Sequence, residues 1–146
     1  MSEIVTDKSA IRFSDFLVLH RAIFPEQLIS DNLLRDLFQM DSAFVFLLKH
    51  NETNSGFLFF QLVAAEIEIL DMGVLPDCRS QGFASQLLER LFDFSKRHAV
   101  DKIHLEVRSK NAEALGLYTK HHFQKTGLRK KYYHDGEDAV LMSFKV

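Results

Sequence analysis

The 146-residue chain contains no tryptophan, one cysteine, two prolines and six glycines. The single Cys78 cannot form an internal disulfide, which predicts a reducing compartment, the cytoplasm. No apolar run approaches the roughly 20 residues of a membrane span, and the opening MSEIVTDKS contains no apolar secretory segment. A formal net charge of −2 provides no bulk attraction to nucleic acid or to an anionic membrane. These absences favour a cytoplasmic protein without a nucleic-acid or membrane partner.

The composition is otherwise that of a folded protein. Apolar residues make up 47% of the chain and charged residues 26%, and fourteen phenylalanines must carry much of the core. No repeat, low-complexity tract or linker rich in proline, glycine and serine interrupts the chain. We therefore expect residues 1–146 to form a single domain.

Local patterns predict two helices, then strands, then an alternation of strands and helices. Helical spacing of apolar residues ends at Pro25, and Ser30 is a candidate N-cap for the second helix. NETNSG, residues 51–56, is typical of a turn, and the Asp-Gly pair at 135–136 is typical of a hairpin. The other predicted elements are strands at 43–49, 57–64, 67–74 and 102–108, a helix at about 82–98, a short helix from Asn111 to Tyr118, and two final strands. This order predicts a mixed α/β or α+β sheet with helices packed on it.

The stretch RSQGFAS, residues 79–85, joins a strand to the predicted long helix. Glycine at position 82 would let an anion approach the unpaired N–H groups of the first helical turn, where the helix dipole favours negative charge. Arg79 adds a positive charge, and Gln81 and Ser85 add donors. The sequence leaves two interpretations open: a phosphate-binding loop, or a glycine that only eases a tight turn.

Three segments together resemble one known family. Arg79-Ser80-Gln81-Gly82-Phe83-Ala84 matches the Arg/Gln-x-x-Gly-x-Gly/Ala signature of the GCN5-related N-acetyltransferases (GNAT). LEVRSKNAEALGLYTKHHFQKTG, from Leu105, resembles the family's next segment, and KYYHDGEDAVLM resembles its C-terminal hairpin. The resemblance covers Glu66 to Met142 and is strongest to the branch of bacterial ribosomal-protein-alanine N-acetyltransferases (RimI type).

The resemblance implies a fold and a cosubstrate. The fold would be the GNAT-like mixed, mostly antiparallel sheet flanked by helices, and the cosubstrate would be acetyl-CoA, with no metal. Its pyrophosphate would lie on the Gly82 loop, and its pantetheine arm would run along the end of a strand like an added strand. The implied binding residues are Met72, Gly73, Val74, Arg79, Ser80, Gln81, Gly82, Phe83, Ala84, Ser85 and Asn111. Asn111 is equally a plain N-cap.

Glu106 and Tyr118 are the candidate catalytic residues. From the residues alone, Glu106 is either a proton acceptor or a solvent-facing partner of Arg108, and Tyr118 is either a proton donor or an aromatic residue packed on the sheet. The resemblance favours the catalytic role for both, with Glu106 acting directly or through a water. Glu66 and Glu68 are rival bases on the preceding strand.

The acceptor is predicted to be a protein N-terminus, such as that of a ribosomal protein. A free α-amine has a pKa of about 8, so roughly a tenth is neutral at pH 7, and a carboxylate base suffices. Tyr132-Tyr133 resembles the paired tyrosines of relatives that take N-termini, and we expect the peptide to enter between residues 24–30 and 132–134. The alternatives are acetylation of a small-molecule amine and a non-catalytic acyl-CoA-binding domain. We expect a monomer or a weak dimer.

Overall fold

The computed structural model describes all 146 residues and places seven strands in one sheet, with four α-helices on its faces. The elements are β1 (Ser2–Val5), a 3-10 helix (Lys8–Ala10), α1 (Phe13–Ile23), α2 (Asp31–Gln39), β2 (Ala43–His50), β3 (Thr53–Val63), β4 (Glu66–Val74), a 3-10 helix (Pro76–Cys78), α3 (Phe83–Arg97), β5 (Lys102–Arg108), α4 (Ala112–Lys120), β6 (Gln124–Arg129) and β7 (Ala139–Lys145).

The strand order is β1-β2-β3-β4-β5-β7-β6. Every neighbouring pair is antiparallel except β4 and β5, which are parallel. Because β7 inserts between β5 and β6, the last three strands are not in chain order. The mixed, mostly antiparallel sheet with flanking helices confirms the predicted fold class.

The predicted helix starts are confirmed by their caps. The Ser30 hydroxyl accepts a hydrogen bond from the Leu33 amide at 3.1 Å, and the Asn111 side-chain oxygen accepts one from the Ala114 amide at 3.1 Å. Each bond satisfies a first-turn N–H that the helix itself leaves unpaired. Both helices therefore begin where short-range chemistry places them.

Three predictions of local structure were incomplete or wrong. β1 was not predicted, because its four residues gain their order by pairing with β2 rather than from a local pattern. β3 already begins at Thr53, so the turn within NETNSG is confined to Asn51 and Glu52, both at positive φ. The last two strands are joined by residues 130–138, a longer connection than the tight hairpin that Asp-Gly favours.

The sheet separates two apolar cores. One core lies against α3 and α4 and contains Phe46, Phe60 and Phe94, and the other lies against α1 and α2 around Phe16. The predicted alternation in β5 is confirmed, since Ile103, Leu105 and Val107 belong to the first core and the intervening side chains do not. Glu106 therefore faces the α1 side of the sheet. None of the helices combines the length and apolar character needed to cross a bilayer.

Candidate active site

A cavity lies between the end of β4 and α4, past the point where β4 and β5 part. The two strands pair only from Glu66–Glu68 to Lys102–His104, and beyond that point no ladder joins them. The space is about 380 Å³. Its lining residues are Ile23, Phe24, Met72, Gly73, Val74, Cys78, Arg79, Ser80, Gly82, Phe83, Ala84, Ser85, Asn111, Glu113, Ala114, Leu117 and Tyr118. This wall contains every predicted cosubstrate-binding residue except Gln81, which is exposed beside it. The binding roles of these residues stay a prediction.

The Gly82 loop forms one end of the cavity. Gly82 is the N-cap of α3 at φ +82, and a Cβ built there would meet no atom within 4 Å. The space in front of the first turn of a 15-residue helix is thus open, as a phosphate group requires. The Arg79 Nε donates to the carbonyl of Val74 at 3.2 Å, which ties this cation to the end of β4. The residues present fit a pyrophosphate.

Gly73 brings β4 against the end of α1. A Cβ on Gly73 would lie 2.5 Å from the Ile23 Cγ2 and 2.9 Å from the Phe24 Cζ. Only glycine permits this approach, and it makes both side chains part of the cavity wall. Ile23 was not predicted as a site residue, because its helical spacing indicated only core packing, whereas Phe24 was predicted at the edge of the peptide entrance.

Tyr118 forms the wall of the cavity opposite β4. Its side chain is buried and contacts Phe123 edge-on, at 5.5 Å between ring centroids. Burial raises the pKa of the Tyr118 phenol well above its usual range, and the negative charge of Asp71 raises it further. Tyr118 therefore keeps its proton throughout the physiological pH range. The packing interpretation of Tyr118 is confirmed, and its role as proton donor stays a prediction.

Glu106 lies near the cavity but does not line it. Its carboxylate Oε1 is 3.5 Å from the Arg129 Nε, and its side chain keeps 25% exposure. The Glu106 carboxylate raises the pKa of Tyr132, first by hydrogen bonding to the phenol and then by its charge. The proposed pairing of Glu106 with Arg108 is wrong, because Arg108 bonds Asp135 and Glu137, each at 2.9 Å.

The two rival bases differ in position. Glu66 is exposed at the start of β4, opposite Val63, which puts it at the paired end of the β4–β5 ladder. Glu68 is half-buried, and its charge adds to the rise in the pKa of Tyr132. Glu68 is therefore the stronger of the two rivals.

The connection between β6 and β7 carries the tyrosine pair. The Tyr132 and Tyr133 rings meet edge-on, with centroids 5.1 Å apart. The Arg108 guanidinium lies 4.0 Å from the Tyr133 ring centroid, and the Arg129 guanidinium lies 5.5 Å from that of Tyr132. Two cations thus hold the tyrosines beside Glu106.

One polar group of the site was missed entirely. The His20 Nε2 lies 3.0 Å from the Asp71 Oδ2, and the Gln27 Nε2 donates to the same oxygen at 2.9 Å. His20 is buried at 1% exposure, and the Asp71 side chain is 17% exposed. An acidic residue within the apolar strand EIEILDMGV was the available signal. The two residues are 51 positions apart, so no local pattern joins them.

Comparisons with known proteins agree with this geometry. The sequence model of the acetyltransferase (GNAT) family matches residues 13–123, more than half of the chain. The [ribosomal protein bS18]-alanine N-acetyltransferase of Escherichia coli strain K12 is 36% identical over 104 residues, which cover 69% of this chain and 70% of that protein.

Solved structures extend the likeness to the whole chain. The crystal structure of the ribosomal-protein-S18-alanine N-acetyltransferase from Escherichia coli superposes with a TM-score of 0.90 at 28% identity, covering 100% of this chain and 94% of that one. A GNAT family acetyltransferase from Elizabethkingia anophelis, solved with acetyl-CoA bound, shares the fold at a TM-score of 0.82 and 20% identity, covering 99% and 98%. With its parted strands, its Gly82 loop and these matches, the chain belongs to the GNAT family of acetyltransferases.

Proposed function

We propose that this protein transfers the acetyl group of acetyl-CoA to the N-terminal α-amine of a protein, such as a ribosomal protein. The observation that carries the proposal is the cavity between the end of β4 and α4, with a helix start open to an anion at one end and a protonated tyrosine in its wall. The similarity to alanine N-acetyltransferases of a ribosomal protein supports this acceptor class. We further infer that residues 1–146 form one acyl-CoA N-acyltransferase domain, since all seven strands lie in one sheet.

The Gly82 loop and the end of β4 hold the cosubstrate in this proposal. The first-turn N–H groups of α3 and the Arg79 side chain receive the pyrophosphate, with donors from Ser80, Gln81 and Ser85. The unpaired edge of Met72, Gly73 and Val74 bonds the pantetheine arm as a neighbouring strand would. When bound, acetyl-CoA supplies a thioester carbonyl for attack by an amine and a thiolate as leaving group.

Glu106 accepts the proton of the acceptor amine. Its carboxylate lies on the α1 side of β5, just beyond the point where the strands part. Because the side chain stays one-quarter exposed and outside the cavity wall, a water molecule can relay the proton to it. An α-amine suits such a base, because roughly a tenth of it is already neutral at pH 7.

Tyr118 donates to the departing sulfur. The raised pKa keeps the hydroxyl hydrogen on the ring oxygen in the free enzyme. An ordinary thiol has a pKa of about 8.5, so complete proton transfer from Tyr118 to a thiolate is uphill. The main contribution of the phenol is then a hydrogen bond that strengthens as negative charge develops on sulfur.

Turnover of defined amines tests the proposal. Acetyl-CoA is supplied with short peptides that carry a free N-terminus and an internal lysine, with the same peptides blocked at the N-terminus, and with polyamines and amino sugars. We expect thiol release and acetylated product only with free N-termini. Efficient acetylation of a small amine with no peptide turned over would instead assign the alternative acceptor class. Absence of turnover together with tight acetyl-CoA binding would assign a non-catalytic binding domain.

A further inference from the structure

Asp71 owes its orientation to a bulge in β4. The β3 partners of β4 run from Gln61 opposite Glu68 and Phe60 opposite Ile69 to Phe59 opposite Asp71, so Leu70 is the extra residue. Because Phe59 and Gln61 are two residues apart on β3, Asp71 and Glu68 share one face of the sheet. Without the bulge, Asp71 would point into the core beneath α3. The bulge therefore delivers a carboxylate to the α1 side.

This position lies beside the proposed reaction. The ladder between β4 and β5 ends at Glu68 and His104, and Asp71 and Glu106 follow on the two diverging strands, both facing α1. The next two residues after Asp71, Met72 and Gly73, line the cavity. The charge of Asp71 also acts on Tyr118 in the opposite wall. A group bound by Asp71 would thus lie beside the gap between β4 and the strand that carries Glu106.

Asp71 is held firmly through one oxygen only. Its Oδ2 lies within hydrogen-bond distance of both the His20 Nε2 and the Gln27 Nε2, whereas its Oδ1 makes no hydrogen bond. The carboxylate remains 17% exposed and has no lysine or arginine partner. His20 and Gln27 orient the group through the same oxygen. The second oxygen of this fixed carboxylate, Oδ1, is therefore available to a cation.

The His20 ring is buried among aromatic side chains and makes its polar contact with Asp71. The ring is 1% exposed and packs against Phe16, Phe24 and Phe57. Its Nδ1 is buried without a partner, so the ring makes its one polar contact through Nε2, with Asp71. With the proton on Nε2, the unpartnered Nδ1 carries only a lone pair, which is the less costly tautomer. A leucine would pack here without an unsatisfied nitrogen, which indicates that the contact to Asp71 has a use beyond packing.

We propose that Asp71, positioned by His20 and Gln27, receives the ammonium group of the acceptor and holds it between β4 and β5 for deprotonation by Glu106. The inference rests on the proposed function, since it assigns the residue that recognises the acceptor amine. An α-amine with a pKa of about 8 arrives mostly as a cation at pH 7, so a carboxylate at the entrance selects for it. Asp71 binds the amine, and His20 and Gln27 are positioning residues.

Steady-state kinetics with a free N-terminus peptide at saturating acetyl-CoA test this role. Asp71→Asn keeps the size of the side chain and an oxygen for His20 and Gln27. It is expected to raise the peptide KM by about tenfold or more, as for loss of a charged hydrogen bond, with a smaller change in kcat and an unchanged acetyl-CoA Kd. Asp93→Asn removes the same charge from an exposed position on α3 and should leave the peptide KM unchanged.

His20 variants separate positioning from simple packing. His20→Gln retains a donor near the place of Nε2, whereas His20→Leu retains only bulk. We expect the leucine variant to raise the peptide KM and the glutamine variant to restore it to within about threefold of wild type. Equal KM values for both, with equal losses of thermal stability, would show that His20 only packs. If the leucine variant fails to fold, the peptide KM of Asp71→Asn still tests the role of Asp71.

Different results overturn the proposed function and the role of Asp71. Wild-type protein that acetylates no free N-terminus overturns the proposed function and the Asp71 assignment together. Wild-type protein that acetylates N-termini, while Asp71→Asn keeps the peptide KM within about twofold, overturns only the assignment of Asp71. Calorimetry with CoA and the free or N-acetylated peptide adds a readout without turnover. Wild type should prefer the free amine, and Asp71→Asn should lose that preference.

Discussion

Gly82 and Gly136 both hold left-handed backbones, at φ +82 and +88, and a Cβ on either would meet no atom within 4 Å. They differ in surroundings, because Gly82 borders the cavity at the start of α3 and Gly136 lies in the connection between β6 and β7. Substituting either residue incurs a similar backbone strain, of about 1–2 kcal/mol. Comparing substitutions at the two positions therefore separates the effect of backbone strain from the effect of blocking a binding surface.

Gly82→Val is expected to weaken acetyl-CoA binding by at least about tenfold, or 1.4 kcal/mol. The valine side chain would occupy the open space before the first-turn N–H groups and hold the pyrophosphate away from them. Calorimetric titration measures the affinity, and Gly136→Val serves as the control with equal strain. Equal affinities for the wild type and a folded Gly82→Val protein would remove the loop from the binding site.

Glu106→Gln is expected to lower kcat by roughly a hundredfold or more, because an amide cannot take the amine's proton. The acetyl-CoA Kd should not change, since Glu106 lies outside the cavity wall. Quenched time-course assays with a peptide already shown to be acetylated measure kcat. Glu52→Gln, at an exposed turn, is the control with the same charge change. A near-normal rate in Glu106→Gln combined with a large loss in Glu68→Gln would transfer the role to Glu68.

Tyr118→Phe is expected to reduce turnover while keeping the fold and the acetyl-CoA Kd. The ring packing against Phe123 remains, and only the donor to the departing sulfur is lost. Single-turnover measurements isolate the chemical step, and circular dichroism checks the fold. An unchanged chemical rate would leave Tyr118 as a packing residue.

Tyr118 is also expected to make the fold sensitive to alkali. Its folded pKa lies above the unfolded value of 10.0, so the unfolded chain loses this proton first as the pH rises. The stabilising contribution is complete below pH 10 and declines above it, by at most about 1.4 kcal/mol per pH unit. The melting temperature of wild type should therefore fall more steeply between pH 9.5 and 11 than that of Tyr118→Phe. Parallel curves would contradict the raised pKa.

Arg108→Leu is expected to raise the peptide KM several-fold without changing the acetyl-CoA Kd. Arg108 ties residues 130–138 to β5 through Asp135 and Glu137, and it packs on the Tyr133 ring. Its loss should loosen the tyrosine pair, although an exposed ion pair alone contributes only about 0–1 kcal/mol. Arg97→Leu on α3 is the control. A changed acetyl-CoA affinity in Arg108→Leu would point to a wider disturbance.

Short-range chemistry in the sequence predicts most of the fold. Ser30 and Asn111 mark helix starts, because their side chains accept hydrogen bonds from N–H groups three residues away, and Gly82 marks a third through its left-handed backbone. β1 escapes prediction because its order comes from β2, more than 40 residues later. The resemblance to the GNAT family predicts the mixed, mostly antiparallel sheet. Hydrophobic periodicity alone predicts only the individual helices and strands.

The site is predicted less completely than the fold. Residues of the Gly82 loop are contiguous, so one motif gathers them. Glu106 and Arg129 meet across β7, from strands that only the sheet order brings near each other, and the local alternative, Arg108, is wrong. Asp71 faces α1 only because of a bulge in β4, and no local sequence pattern predicts that bulge. Non-local pairing thus decides the electrostatics of the site.

The parting of β4 and β5 leaves an edge inside the sheet. Past Glu68 and His104, the facing backbones have N–H and C=O groups without a strand partner. Such edges accept any extended chain, including a second copy of the same protein. In the proposed complex the pantetheine arm fills this gap, so we expect added acetyl-CoA to reduce aggregation of the protein on heating, separately from its part in the reaction.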